Sequence, residues 1–135
     1  MILKKKANYW YLVREFCNGG PLSDILTKYK AQFKRSFSEE IVQYLMKQIV
    51  SAIQYLHFNK IVHRDLKLDN ILVNFPTEKD KNSLNLMGCT VKIQDFGVAK
   101  KLNGKLTNSL VGSAMYMDPL ILISFAGKNK KKNRI

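Results

Sequence analysis

Between His63 and Asn70 the chain sets a carboxylate (Asp65), two cations (Arg64 and Lys67) and a carboxamide (Asn70) within eight residues. Apolar runs, Ile61-Val62 before and Ile71-Leu72-Val73 after, bracket this stretch as short buried strands would. A further carboxylate stands downstream in Asp95-Phe96-Gly97. A reaction that spreads negative charge over oxygens, as phosphoryl transfer does, depends on positioning and electrostatic stabilisation more than on covalent help. An acid, a cation and an amide suffice for it. The plain alternative is a charged, solvated turn between two strands, and both the apolar brackets and the downstream Asp-Phe-Gly weigh against it.

The order His63-Arg64-Asp65-Leu66-Lys67-x-x-Asn70 resembles the catalytic loop of protein kinases, in the lysine form of the serine/threonine branch. The resemblance implies that Asp65 accepts the substrate hydroxyl proton, that Lys67 steadies the transferred phosphate and that Asn70 holds Mg2+. It gives Asp95 the metal position between the β- and γ-phosphates of ATP, and lets Phe96 set the active state by packing in or out. His63 by the same resemblance packs under Phe96, so it is assigned no acid-base work.

Upstream, Glu15-Phe16-Cys17 followed by Asn18-Gly19-Gly20 resembles the kinase hinge. Glu15 and Cys17 would offer backbone contacts to the adenine edge, with Leu72 as a further nucleotide-binding residue. The sequence departs from the family at Arg14, where an apolar or small residue usually stands and where burying an unpaired guanidinium is costly. It departs again at Pro21, where many members carry an acidic ribose contact.

Downstream, residues 98–117 correspond to the activation segment. Thr107 and Ser109 are hydroxyls in a lysine-flanked stretch whose phosphorylation by an upstream kinase would add charge for Arg64 to bind. Ser109, three residues before Gly112, matches the usual regulatory hydroxyl better. Ser113 corresponds to the substrate-site hydroxyl that bonds Asp65 and Lys67. Met117-Asp118-Pro119-Leu120 stands where the family has Met-Ala-Pro-Glu, so Pro119 matches and the anchoring carboxylate is replaced by Leu120.

These groups need elements to hold them. Ile2 to Lys6 and Tyr9 to Phe16 read as a hairpin turned at Ala7-Asn8. Pro21 starts a short helix expected over 22–29, followed by a polar connection to Phe37. Ser36 or Ser38 is an N-cap candidate, and Glu39 and Glu40 suit the positive end of a helix. Ile41, Leu45, Ile49, Ala52, Ile53 and Leu56 then recur at three- and four-residue steps, an amphipathic helix that leads to His63. His57 suits its C-terminal end. Residues 74–90, with Pro76, a charged stretch and Gly88, read as a loop insertion where ordinary kinases turn tightly. This long connection and the Asn18-Gly19-Gly20 hinge are similar to those of the autophagy-initiating serine/threonine kinases.

The length of 135 residues allows one domain with a core, and the 46% apolar content argues against wholesale disorder. A complete kinase domain is roughly twice as long. No glycine-rich phosphate loop and no Ala-x-Lys strand precede the hinge, and no helices are expected after the Met-x-Pro-x motif. The expected organisation is a truncated, protein-kinase-like α+β fold. Residues 1–20 form the small-lobe remnant and hinge, residues 21–123 carry the large-lobe part with the catalytic loop and activation segment, and residues 124–135 are a basic tail.

The net charge of +13 is scattered and reads as a solvated surface. No helix-turn-helix, zinc spacing or aromatic stacking motif accompanies it, which argues against a nucleic-acid partner. Two cysteines, Cys17 and Cys89, are too far apart for a Cys-x-x-Cys site and fit a reducing compartment. No stretch approaches the ~18 apolar residues of a membrane span. A cytoplasmic or nuclear protein with protein Ser/Thr substrates, ATP and Mg2+ is expected. The competing reading is a catalytically dead kinase remnant that binds a protein partner.

Overall fold

The structure is a computed structural model that describes residues 2–102 and 111–123. The chain opens with β1 (Ile2–Lys6) and β2 (Tyr9–Val13), an antiparallel hairpin in the register Ile2↔Val13 to Lys6↔Tyr9. Ala7 turns it in the left-handed region at φ 52°. The second strand, expected to reach Phe16, stops at Val13 because Val13 already pairs with Ile2, the first residue of its partner. The hairpin is a sheet of its own, and every side chain of β2 is exposed.

A second sheet joins β3 (Gly20–Pro21), β5 (Ile71–Asn74) and β6 (Thr90–Ile93) in that order, all antiparallel. A third pairs β4 (Ile61–Val62) with β7 (Lys100–Lys101). These short ladders fix the two stretches of interest. The catalytic-loop candidate runs between β4 and β5 through a 3-10 turn at Leu68–Asn70, and Asp95 lies just beyond β6.

Helix α1 covers Leu22–Phe33, one turn longer than the expected 22–29. Pro21, at φ −64°, precedes its first residue, and Lys34 ends it in the left-handed region at φ 55°. The extra turn is held by aromatic packing: the Tyr29 ring lies 4.5 Å from Phe33 and 4.9 Å from Phe37. Helix α2 covers Glu39–Phe58, with Ser38 as N-cap accepting from the Ile41 amide at 3.4 Å. Glu39 and Glu40 in its first turn and His57 in its last complement the helix dipole. Leu45, Ile49 and Leu56 of its apolar stripe are buried, and Ile41, Ala52 and Ile53 are half-buried.

The stretch 74–90 corrects the sequence expectation of a loop. It contains helix α3 (Glu78–Ser83), capped by Thr77, whose hydroxyl accepts from the Asp80 amide at 3.1 Å. Leu84 closes that helix in the left-handed region at φ 51°. Phe75, Leu84, Leu86 and Cys89 are buried in the core beside Ile25, Leu45 and Val73. The segment therefore contributes some of the most deeply buried side chains of the fold, and composition alone hid this because its apolar residues share no period.

Candidate active site

Asp65 is the hub of the site. Its Oδ1 accepts from the Ser113 amide at 2.8 Å and from the Ser113 hydroxyl at 2.7 Å. Its Oδ2 lies 3.1 Å from Lys67 Nζ and accepts from Asn70 Nδ2 at 3.1 Å. Lys67 Nζ also donates to Ser113 Oγ at 2.9 Å, closing a ring of acid, cation and hydroxyl. The Ser113 hydroxyl first, then Lys67 and the Ser113 amide, hold the Asp65 carboxyl below its ordinary range against a smaller desolvation effect. The carboxylate is thus ionised at neutral pH and surrounded by donors.

Local backbone makes the ring possible. Asn70 Nδ2 donates to the Asp65 carbonyl at 2.8 Å as well, so one buried carboxamide ties both ends of the loop. Arg64 and Asp95 sit at positive φ, 70° and 62°, which is uncommon outside glycine and is typical of functional sites. Arg64 Nε donates to the Val98 carbonyl at 2.6 Å, joining the loop to the segment after Asp-Phe-Gly. Gly112, at φ 112°, is a requirement that sequence reading missed: a Cβ there would lie 2.2 Å from the Arg64 carbonyl oxygen. Its absence lets the chain pass close enough for Ser113 to reach Asp65. The Gly112-Ser113 pair was the available signal.

The downstream carboxylate is brought to the same loop through backbone. Gln94, next to Asp95, donates its amide to the Asn70 carbonyl at 2.9 Å, and its own carbonyl lies 2.8 Å from His63 Nε2. His63 is buried, and its ring meets Phe96 edge-on at 5.0 Å between centroids. Asp95 is exposed, with Oδ1 accepting from the Gly97 amide at 3.2 Å.

Asn70 and Asp95 are oxygen donors of the kind a hard divalent cation takes. Asn70 uses its amide nitrogen on Asp65, which leaves the amide oxygen as the atom able to accept a cation. Among the described residues no three His, Cys, Asp or Glu side chains form a metal cluster. A cation held here would take its other ligands from water and phosphate, as Mg2+ does. The donor set fits Mg2+.

Glu15, Cys17 and Leu72 come together as well. With Arg14, Lys92 and Phe96 they line a cleft of about 250 Å³. Cys17 is buried and its thiol is pushed up by burial first and by Glu15 second. Glu15 is exposed and pairs with Lys92 Nζ at 2.7 Å. Arg14 is exposed, so the guanidinium at this position carries no burial cost in the chain. Pro21 serves β3 and the start of α1. Thr107 and Ser109 lie outside the described residues.

The protein kinase domain family model matches residues 2–134. Serine/threonine-protein kinase ULK1 of Homo sapiens is 39% identical over 122 residues, 90% of this chain and 11% of that protein. Serine/threonine-protein kinase unc-51 of Caenorhabditis elegans is 40% identical over 117 residues, 84% of this chain and 13% of its own length. Serine/threonine-protein kinase 33 of Bos taurus is 38% identical over 115 residues, 83% of this chain and 22% of its own length. The chain thus spans between 11% and 22% of the length of these curated relatives. With the whole of a catalytic-loop motif, an Asp-Phe-Gly and all the described residues inside the match, the chain belongs to the protein kinase domain family and is similar to its serine/threonine kinases.

Proposed function

We propose that the protein transfers the γ-phosphoryl group of Mg-ATP to serine or threonine hydroxyls of protein substrates, and that Asp65, Lys67, Asn70 and Asp95 carry the reaction. What supports this most is one contact set: a single serine hydroxyl, that of Ser113, is held at 2.7 Å by the Asp65 carboxylate and at 2.9 Å by the Lys67 ammonium. A base and a cation spaced to share a serine hydroxyl are the groups a hydroxyl nucleophile and its incoming phosphate need.

In this reading Asp65 takes the proton of the substrate hydroxyl as that oxygen bonds the γ-phosphorus and the bond to the β-γ bridging oxygen breaks, releasing ADP. The low-lying ionisation of Asp65 keeps it an acceptor at neutral pH. Lys67 offsets charge on the transferred oxygens. Asn70 and Asp95 would hold Mg2+, which when bound would neutralise phosphate charge. Glu15, Cys17 and Leu72 flank the adenine in their cleft. Ser113 orients Asp65 and Lys67, while Thr107 and Ser109 are modification sites for an upstream kinase, read out through Arg64. No helix among the described residues is long and apolar enough to cross a membrane. A cytoplasmic or nuclear setting is part of the proposal.

The 135 residues contain no Gly-x-Gly-x-x-Gly run. By themselves they are therefore expected to transfer phosphate weakly, since a phosphate-covering loop supplies much of the charge stabilisation. The test uses the full-length protein with radiolabelled ATP and a mixed peptide library, followed by phosphoamino-acid analysis. Label on serine and threonine is expected. Label confined to tyrosine, or none, would overturn the assignment and favour the binding-module reading.

A further inference from the structure

We propose that Asn18 is a positioning residue for nucleotide binding, setting the separation of Cys17 from Leu72 across the cleft by gripping the Phe75 backbone with its side-chain amide. The inference rests on the reading of that cleft as the nucleotide site. Asn18 Oδ1 accepts from the Phe75 amide at 2.8 Å, and Asn18 Nδ2 donates to the Phe75 carbonyl at 3.0 Å. The side chain thus completes a two-way, strand-like pairing with a residue 57 positions away. Two neighbouring bonds run in parallel: the Asn18 amide donates to Asn74 Oδ1 at 3.2 Å, and the Gly19 amide donates to the Val73 carbonyl at 2.9 Å.

These bonds are placed where they control the cleft. Asn18 follows Cys17 and Val73 follows Leu72, and Cys17 and Leu72 are both cleft walls. Gly19 shows how close the two segments lie: a Cβ there would be 2.7 Å from the Val73 carbonyl oxygen and 2.9 Å from the Phe75 ring. A side chain longer than hydrogen at position 19 would force the segments apart, and the Asn18 side chain extends to Phe75 the tie that the Gly19–Val73 bond and the β3–β5 pairing begin. Its anchor does not drift, because Phe75 is buried in the core. The far end of the same inserted stretch is gripped in the same manner from α2. Gln48 Nε2 donates to the Cys89 carbonyl at 3.1 Å, Gln48 Oε1 accepts from the Val91 amide at 3.1 Å, and the Tyr44 hydroxyl donates to the Cys89 carbonyl at 3.0 Å. The insertion is a strut fixed to α2 at one end and to the hinge by Asn18 at the other.

A wall that loses its tie costs affinity for what the walls hold, with little effect on a base and cation placed elsewhere. The experiment measures Mg-ATP affinity by calorimetry and steady-state constants for ATP in the full-length protein, comparing Asn18→Ala, Asn18→Asp and Thr77→Ala. Asn18→Ala is expected to raise Kd and KM for ATP about five- to ten-fold with kcat within about two-fold. Asn18→Asp keeps the acceptor for the Phe75 amide but sets a carboxylate oxygen against the Phe75 carbonyl, so it is expected to raise Kd at least as much as Asn18→Ala. Thr77→Ala, which uncaps α3 away from the cleft, should lower thermal stability and leave KM for ATP unchanged. An unchanged Kd in both Asn18 variants, or an equal rise in Thr77→Ala, would overturn the positioning role. A wild-type protein that binds no Mg-ATP would instead overturn the nucleotide-site reading beneath it.

Discussion

Ser113 gives Asp65 two of its donors, a backbone amide at 2.8 Å and a hydroxyl at 2.7 Å, and the hydroxyl is the largest cause of the lowered carboxyl pKa. A carboxyl whose folded pKa lies below its unfolded value, about 3.9 for aspartate, binds fewer protons when folded. Its contribution to stability is therefore present above about pH 4 and is lost as pH falls through the folded pKa. Ser113→Ala removes the hydroxyl and returns the pKa toward the ordinary value. The stability gap between wild type and Ser113→Ala should be largest above about pH 5 and shrink steadily toward pH 3, as read by urea unfolding across that range. A gap independent of pH would mean that the hydroxyl acts on packing alone. At this scale the sequence was most legible, because His63 through Asn70 is one short run and its partners are set by loop geometry. Gly112 and Asn18 were not legible as structural necessities, since each answers to a backbone far away: Arg64 for one, Phe75 for the other.

At the scale of elements, helices with local signals matched expectation. Ser38, the two glutamates and the three-four stripe specify α2 without reference to the rest of the chain. The extra turn of α1 needed Phe37 from beyond the helix, and the insertion needed the whole core. Leu86 is 1% exposed, so its truncation should be felt as a core deletion. Leu86→Ala is expected to cost about 2–5 kcal/mol by chemical denaturation, while the exposed Lys79→Ala changes stability by under about 0.5 kcal/mol. Equal, small effects would return the segment to the loop that its composition suggested. Cys89, fully buried in the same cluster, has its thiol pushed up to about 11 by burial. Its alkylation by iodoacetamide at pH 7.5 should be negligible in the folded protein and fast in urea, because the thiolate is the reactive form.

At the scale of the whole molecule, apolar surface is shared unevenly. Phe75, Leu84, Leu86 and Cys89 of the insertion and Leu22, Ile25 and Tyr29 of α1 are buried, whereas Val42, Met46 and Val50 on α2 and Trp10 and Leu12 on β2 are exposed. A groove of about 430 Å³ lies along α2, lined by Leu26, Phe37, Met46, Ile53, Leu66 and Tyr116. A two-stranded hairpin without a third strand is marginal in water, and exposed patches of this kind drive association. The 135 residues on their own should bind an apolar dye such as ANS and self-associate in sedimentation velocity at micromolar concentration. A monomer with a sharp thermal transition and no dye binding would show the core to be sufficient.

The central claim is that Asp65 is the proton acceptor of a phosphoryl-transfer site. The direct measurement is the steady-state rate of phosphate transfer from Mg-ATP to a serine peptide by the full-length protein and by its Asp65→Asn variant. The account predicts that kcat falls by about 10²- to 10⁴-fold while KM for ATP stays within about three-fold, because the cleft at Glu15, Cys17 and Leu72 is untouched. Transfer undiminished in Asp65→Asn would contradict it.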